Sequence, residues 1–122
     1  MVEDNVVVEQ YAHASWRITF TGEHDMSTVP AIRQALDEVF GYGTNILLDF
    51  SEATFIDSSV LGQLVEAQRR ADANTDERLV LAVPPASPPA LVIDLTGMRE
   101  VLRIYDSRDE AAEALLAQSR TD

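Results

Sequence analysis

NILLDFSEATFIDSSVLGQLVEAQRR, residues 45–70, changes its hydrophobic period partway along. It opens on the aliphatic run Ile46-Leu47-Leu48, closed by Asp49-Phe50, which is short and bounded by polar residues and so reads as a buried strand. It ends as a helix: Val60, Leu64, Ala67 and Ala71 recur at spacings of three and four, Leu61 and Val65 widen the stripe, and Gln63, Glu66, Arg69 and Arg70 fill the other face. Asp57, Ser58 and Ser59 stand between strand and helix, where an N-cap belongs, and either Asp57 or Ser58 suits the role. The first turn of a helix has free N–H groups and a partial positive charge, so a hydroxyl there can cap, contact an anion or carry one.

Upstream, residues 5–12 and 15–20 alternate as two strands, with Val6 and Val8 against Val7 and Glu9, and Trp16, Ile18 and Phe20 against Arg17 and Thr19. The few residues between them favour a hairpin, with His13 an exposed turn residue. Thr21-Gly22-Glu23-His24-Asp25 reads as a loop, in which Glu23 and Asp25 supply solvation and favourable charge near a helix start, and His24 is expected to be exposed. Thr28 is the expected cap of the next helix, Pro30 is tolerated in its first turn, and Val29, Ile32, Leu36, Val39 and Phe40 form its buried stripe up to Gly41 and Gly43.

Downstream, Leu79–Val83 is a further apolar strand after a polar loop at 74–78. In PPASPPA, Pro84 to Ala90, Ser87 is placed to cap and Pro88 to open a short helix that runs to Leu95 and stops near Gly97. Val101 to Tyr105 reads as a last strand. Ser107-Arg108-Asp109-Glu110 matches a capping box ahead of a final helix with Ala111, Ala112, Leu115 and Leu116 on its stripe, and the tail from Gln118 is expected to fray. The order is ββαβαβαβα. After the first hairpin, strands and helices alternate, which predicts an α/β domain with a small mixed, mainly parallel sheet.

Bulk properties narrow the function. The 122 residues suit one domain with one core, taken as 1–122 with an ordered core over 5–117. A net charge of −12 opposes binding to nucleic acid phosphates and favours a basic partner surface. All nine basic residues are arginine. Cysteine is absent, which removes thiol catalysis and cysteine-based metal sites. The chain has no apolar run near the roughly 20 residues that span a bilayer, and its start lacks a signal-peptide pattern, so a cytoplasmic location without membrane contact is expected. Ser58 has no histidine in a base-and-orienter context, the five glycines are scattered rather than gathered into a phosphate loop, and two histidines without a shared helical face make no metal site. Neither an enzyme nor a cofactor-dependent protein is expected.

Three blocks carry a family resemblance. Phe55-Ile56-Asp57-Ser58-Ser59-Val60-Leu61, between its strand and helix, resembles the phospho-acceptor segment of the STAS-domain anti-sigma factor antagonists. Gly22-Glu23-His24-Asp25 is similar to that family's Gly-Glu-x-Asp after the second strand, and Leu95 to Ala111 to its Leu-Thr-Gly-Leu segment and closing helix. Order and spacing match, and the blocks cover most of the chain. The resemblance implies a single STAS-like domain with helices packed mostly on one side of its sheet. It implies an unmodified protein that sequesters an anti-sigma factor, itself a serine kinase, and so frees a sigma factor in transcription regulation or a stress response. Ser58 matches the phospho-acceptor; phosphorylation releases the partner and a phosphatase resets the switch.

Asp25 matches an acidic residue near the acceptor, and Glu23, Asp57, Ser59 and Val60 complete the implied partner-binding set. Two positions depart from the family pattern. His24 replaces an aliphatic residue, and Val60 replaces the glycine after the serine pair. Valine adds bulk and stiffness to the first helical turn, so Val60 is expected at the rim of the partner surface, tuning access of the kinase. The same departure suits a second class, a STAS module that binds or scaffolds without phosphorylation, as in transporter-associated domains, lipid-transport accessory subunits or stress-signalling scaffolds.

Overall fold

The structure, a computed structural model, describes residues 5–42, 45–74 and 76–120, with side chains described up to residue 117. The elements are β1 (Val6–Ala12), β2 (Ser15–His24), a 3-10 turn (Met26–Thr28), α1 (Val29–Tyr42), β3 (Asn45–Ile56), α2 (Ser58–Asp72), β4 (Arg78–Ala82), α3 (Pro88–Leu95), a second 3-10 turn (Met98–Glu100), β5 (Ile104–Tyr105) and α4 (Arg108–Arg120).

The strands lie in sequence order across one sheet, β1 antiparallel to β2 and each later neighbour parallel. Side chains of a strand alternate between the two faces, and this chain buries both. Ile46, Leu48 and Phe50 of β3 join Ile18, Phe20, Leu79 and Leu81 in the larger core, which includes the apolar stripes of α1, α2 and α3. Leu47, Val80 and Ala82 point the other way, onto Ala111 and Leu115 of α4, with Tyr11 and Tyr105 at the margin. Right-handed crossovers between strands taken in order deliver their helices to one face. Only α4, which follows the last strand, is free to cross to the other. The expected mixed, mainly parallel sheet with helices mostly on one side is what forms.

Both central strands run further than their apolar runs suggest. The segment from Thr21 is not a loop: Thr21, Gly22, Glu23 and His24 continue β2 and pair with Glu52, Ala53, Phe55 and Ile56 of β3. Ser51, Glu52 and Thr54 are exposed there, so no hydrophobic pattern marks the extension, and backbone pairing alone carries it. The register shifts between Thr19 and Thr21 and again between Gly22 and Glu23. Gly22, at φ +79°, supplies the backbone freedom the second shift uses.

Ends differ in smaller ways. β5 is limited to Ile104–Tyr105, although the Leu81 and Val83 amides also bond the Arg103 and Tyr105 carbonyls. Ser87 caps α3 through the Ala90 amide, as expected, and Gly97 follows that helix in the left-handed region at φ +73°. Ser107 accepts from the Glu110 amide at 3.1 Å at the head of α4. Leu116 on the expected stripe is exposed, because α4 turns only Ala111 and Leu115 fully inward. Gly41 is inside α1, Gly43 lies outside the described residues, and α4 continues through Gln118 to Arg120.

Candidate partner-binding and modification site

Asp57 is the N-cap of α2. Its backbone is extended, and its Oδ1 accepts the Val60 amide at 3.0 Å and the Ser59 hydroxyl at 2.6 Å. A cap of this kind contributes about 1 kcal/mol. Ser58 is the first helical residue and is exposed, and among the described residues nothing hydrogen-bonds its hydroxyl. The two serines are therefore unequal: Ser59 spends its hydroxyl on the cap, and Ser58 offers its own to solvent at the positive end of the helix. Burial pushes the Asp57 carboxyl up, but hydrogen bonds from the Ser59 hydroxyl and from the Val60, Ser59 and Met26 amides hold it below the usual 3.8.

The influence of the Met26 amide brings in the second block. Asp25 caps the 3-10 turn, accepting the Ser27 amide at 2.9 Å and the Ser27 hydroxyl at 2.5 Å. Those bonds, hydroxyl first, hold its carboxyl below 3.8 against the nearby negative charge of Asp57. Asp25, Asp57, Ser58 and Ser59 thus meet where β2 and β3 end. Glu23 is exposed on the β2 extension beside Phe55 of β3. Thr28 directly precedes α1, but its hydroxyl oxygen lies within hydrogen-bond distance of both the Asp25 carbonyl, at 3.0 Å, and His24 Nδ1, at 3.3 Å, so it serves the loop below the helix.

The third block completes the site. A groove of about 330 Å³ runs along α2 past Ser58, Gly62, Val65 and Arg69 and is closed on its far side by Thr96 and Met98, after α3. A Cβ built on Gly62 has nothing within 4 Å, so the helix backbone is open to solvent there. Phe55 and Met26, 43% and 72% exposed, add apolar surface at this end of the sheet. Sequence reading missed Gly62, Thr96, Met98, Phe55 and Met26 as site residues. The signal available for Thr96, Met98 and Phe55 was their place in a family-like motif block; Met26 carried none, since exposure of a large apolar residue is decided by packing.

Two departures from the family pattern need correction. Val60 is not at the rim: it is fully buried with Ile56, Leu61 and Leu64 in the main core. Asp57 caps through the Val60 amide, and that geometry turns the Val60 side chain inward under the sheet-facing stripe. It makes no surface for a partner and obstructs nothing at Ser58. His24 is not exposed. It is fully buried, edge-on to Phe20 at 5.5 Å, with Nδ1 3.3 Å from Thr28 Oγ1 and Nε2 3.2 Å from the Thr21 carbonyl. Alternation along the extended β2 puts its ring on the same face as Ile18 and Phe20, toward the core. His13 is exposed in the β1–β2 turn.

Among the described residues, no group of three or more His, Asp or Glu side chains is arranged to hold a metal ion. No described helix is long and apolar enough to cross a membrane.

The family model of the STAS domain matches residues 5–111. The chain belongs to the STAS domain family. An anti-sigma factor antagonist from Mycobacterium paratuberculosis superposes with a TM-score of 0.79 at 23% identity, over 90% of this chain and 92% of that one. The anti-sigma factor antagonist SpoIIAA in its unphosphorylated form gives 0.68 at 24% identity, over 92% and 97%. A putative anti-sigma factor antagonist from Thermotoga maritima gives 0.72 at 18% identity, over 90% and 93%. At these identities the likeness establishes the fold. No curated protein matches the chain by sequence.

Proposed function

We propose that this protein is an anti-sigma factor antagonist whose binding is switched by phosphorylation of Ser58. It acts by binding rather than by catalysis, in the cytoplasm, through one domain with its core over residues 5–117. Unmodified, it holds an anti-sigma factor with serine kinase activity against the face formed by Asp25, Glu23, Asp57, Ser59 and the Ser58 groove, and a sigma factor is freed. Phosphorylation of Ser58 ends the contact and a phosphatase restores it.

The observation that supports this most is the inequality of the two serines. Ser59 is bonded to Asp57 at 2.6 Å, while Ser58 is exposed and unbonded among the described residues, open to a kinase without unfolding. A phosphate there adds roughly −1.5 to −2 charge at a helix start that tolerates an anion. The fold is kept, and the contact is lost through repulsion and lost burial at the partner surface. The structural relative SpoIIAA, solved in both unphosphorylated and phosphorylated forms, adds support by analogy. Burial of Val60 removes the steric objection that favoured an unphosphorylated STAS module.

The test is incubation with a candidate anti-sigma factor kinase and ATP, followed by peptide mass spectrometry and a binding measurement. Phosphate on Ser58 with loss of the complex is expected. A stable complex without phosphate on any residue would favour the unphosphorylated binding or scaffold class.

A further inference from the structure

We propose that His24 is a positioning residue for the Asp25 side of this site, and that it makes the hold on the Asp25 loop depend on proton concentration. The ring is fully buried at the end of β2, and two of its contacts bear on the Asp25 loop. Nε2 faces the Thr21 carbonyl at 3.2 Å, and a carbonyl only accepts, so Nε2 carries a proton. Nδ1 faces Thr28 Oγ1 at 3.3 Å, and a hydroxyl both donates and accepts. The same hydroxyl lies 3.0 Å from the Asp25 carbonyl oxygen, which the Thr28 amide also bonds at 3.0 Å.

One rotation of the Thr28 hydroxyl therefore satisfies either charge state. When the imidazole is neutral, the hydroxyl proton points to Nδ1, and the Asp25 carbonyl keeps only the Thr28 amide. When a proton is added at Nδ1, that N–H donates to Thr28 Oγ1, and the hydroxyl proton turns to the Asp25 carbonyl. The loop then gains a hydrogen bond it lacked. Burial disfavours the charged ring. The acidic groups on the neighbouring segments are Asp25, which caps the 3-10 turn, and Asp57, which caps α2. Around the ring, its β3 partner Ile56 is apolar, Glu23 beside it on β2 is exposed, and the first turns of α1 and α2 carry no acidic residue. The first charged residue of α1, Arg33, is exposed and bonds Gln63 at 3.2 Å. The Met26 amide helps hold the Asp57 carboxyl low, so a change in the Asp25 loop reaches the cap beside Ser58.

The coupling needs neither partner nor kinase, so it is measured on the protein alone and is independent of whether Ser58 is phosphorylated. NMR would follow the histidine ring protons and the backbone amides of Met26, Ser27 and Val60 from pH 8 to 5, the range in which imidazoles change charge. In wild type, the three amides are expected to titrate with the midpoint of His24, and the exposed His13 ring, at the β1–β2 turn, is expected to leave them unmoved. His24→Gln is expected to abolish their titration. Thr28→Val is expected to lower the His24 midpoint by on the order of one pH unit, since a charged N–H left unpaired costs more than a neutral nitrogen. Thr28→Ser is expected to restore it. A His24 ring that does not titrate in this range, amides that ignore its midpoint, or a Thr28→Val variant with an unmoved midpoint overturns the proposal. Should His24→Gln fail to fold, the wild-type and Thr28 titrations still decide.

Discussion

The Ser59 hydroxyl donates to the Asp57 carboxylate at 2.6 Å, and this contact separates two serines that are adjacent and chemically identical in sequence. It makes Ser59 part of the helix cap and leaves the Ser58 hydroxyl exposed. In vitro phosphorylation by a cognate kinase is expected to modify Ser58 alone. Peptide mass spectrometry reads the position, and phosphate confined to Ser59 would contradict the assignment.

Asp57→Ala removes the cap and is expected to cost about 1 kcal/mol in urea denaturation. Ser58→Asp leaves the cap in place and adds an acidic residue at the favourable end of the helix, so its stability should change by less than about 0.5 kcal/mol. Partner affinity, measured by calorimetry, is expected to fall sharply for Ser58→Asp. A melting temperature that collapsed with affinity would argue for unfolding rather than local repulsion.

Val60→Gly tests the inward placement of Val60. Loss of a fully buried valine and gain of backbone freedom together are expected to cost roughly 2–4 kcal/mol. The initial phosphorylation rate of the folded fraction is expected to stay unchanged. A faster rate at small stability cost would restore Val60 to the kinase-facing surface.

Gly62 offers the opposite trade. Its backbone is helical and a Cβ there meets nothing within 4 Å, so Gly62→Ala is expected to stabilise the protein by about 0.5–1 kcal/mol. The same methyl group stands in the groove beside Ser58 and is expected to weaken the complex. An increase in denaturation midpoint with lower affinity is the predicted signature.

The Asp25 and Asp57 carboxyls both sit below 3.8 in the folded protein, held there mainly by hydrogen bonds from Ser27 and from Ser59 with neighbouring amides. A carboxyl whose folded pKa is depressed contributes stability that is fully present above its unfolded value and lost as pH falls through the folded one. The stability difference between wild type and Asp57→Asn is therefore expected to be largest above about pH 4 and to shrink on further acidification. Denaturation midpoints measured between pH 6 and 2.5 check the sign.

The sequence by itself determined the order of elements, the parallel crossovers and most of the core, because each rests on local periodicity: Ile46 and Leu48 against Leu47, or Val60, Leu64 and Ala67 along one stripe. It also marked the three blocks that meet at the candidate site. What only the tertiary structure decided is how those blocks meet and which way their side chains turn. The extensions of β2 and β3 through Thr21–His24 and Ser51–Ile56 depend on pairing between segments about thirty residues apart, and a ladder of backbone hydrogen bonds leaves no mark on side-chain pattern. The burial of His24 follows from that extension, because alternation along a longer β2 places it on the face of Ile18 and Phe20. The division of labour between Ser58 and Ser59 comes from the three-dimensional angle at which a strand enters a helix. Residue type sets what each side chain is able to do, and the backbone path sets which of them is left free to do it.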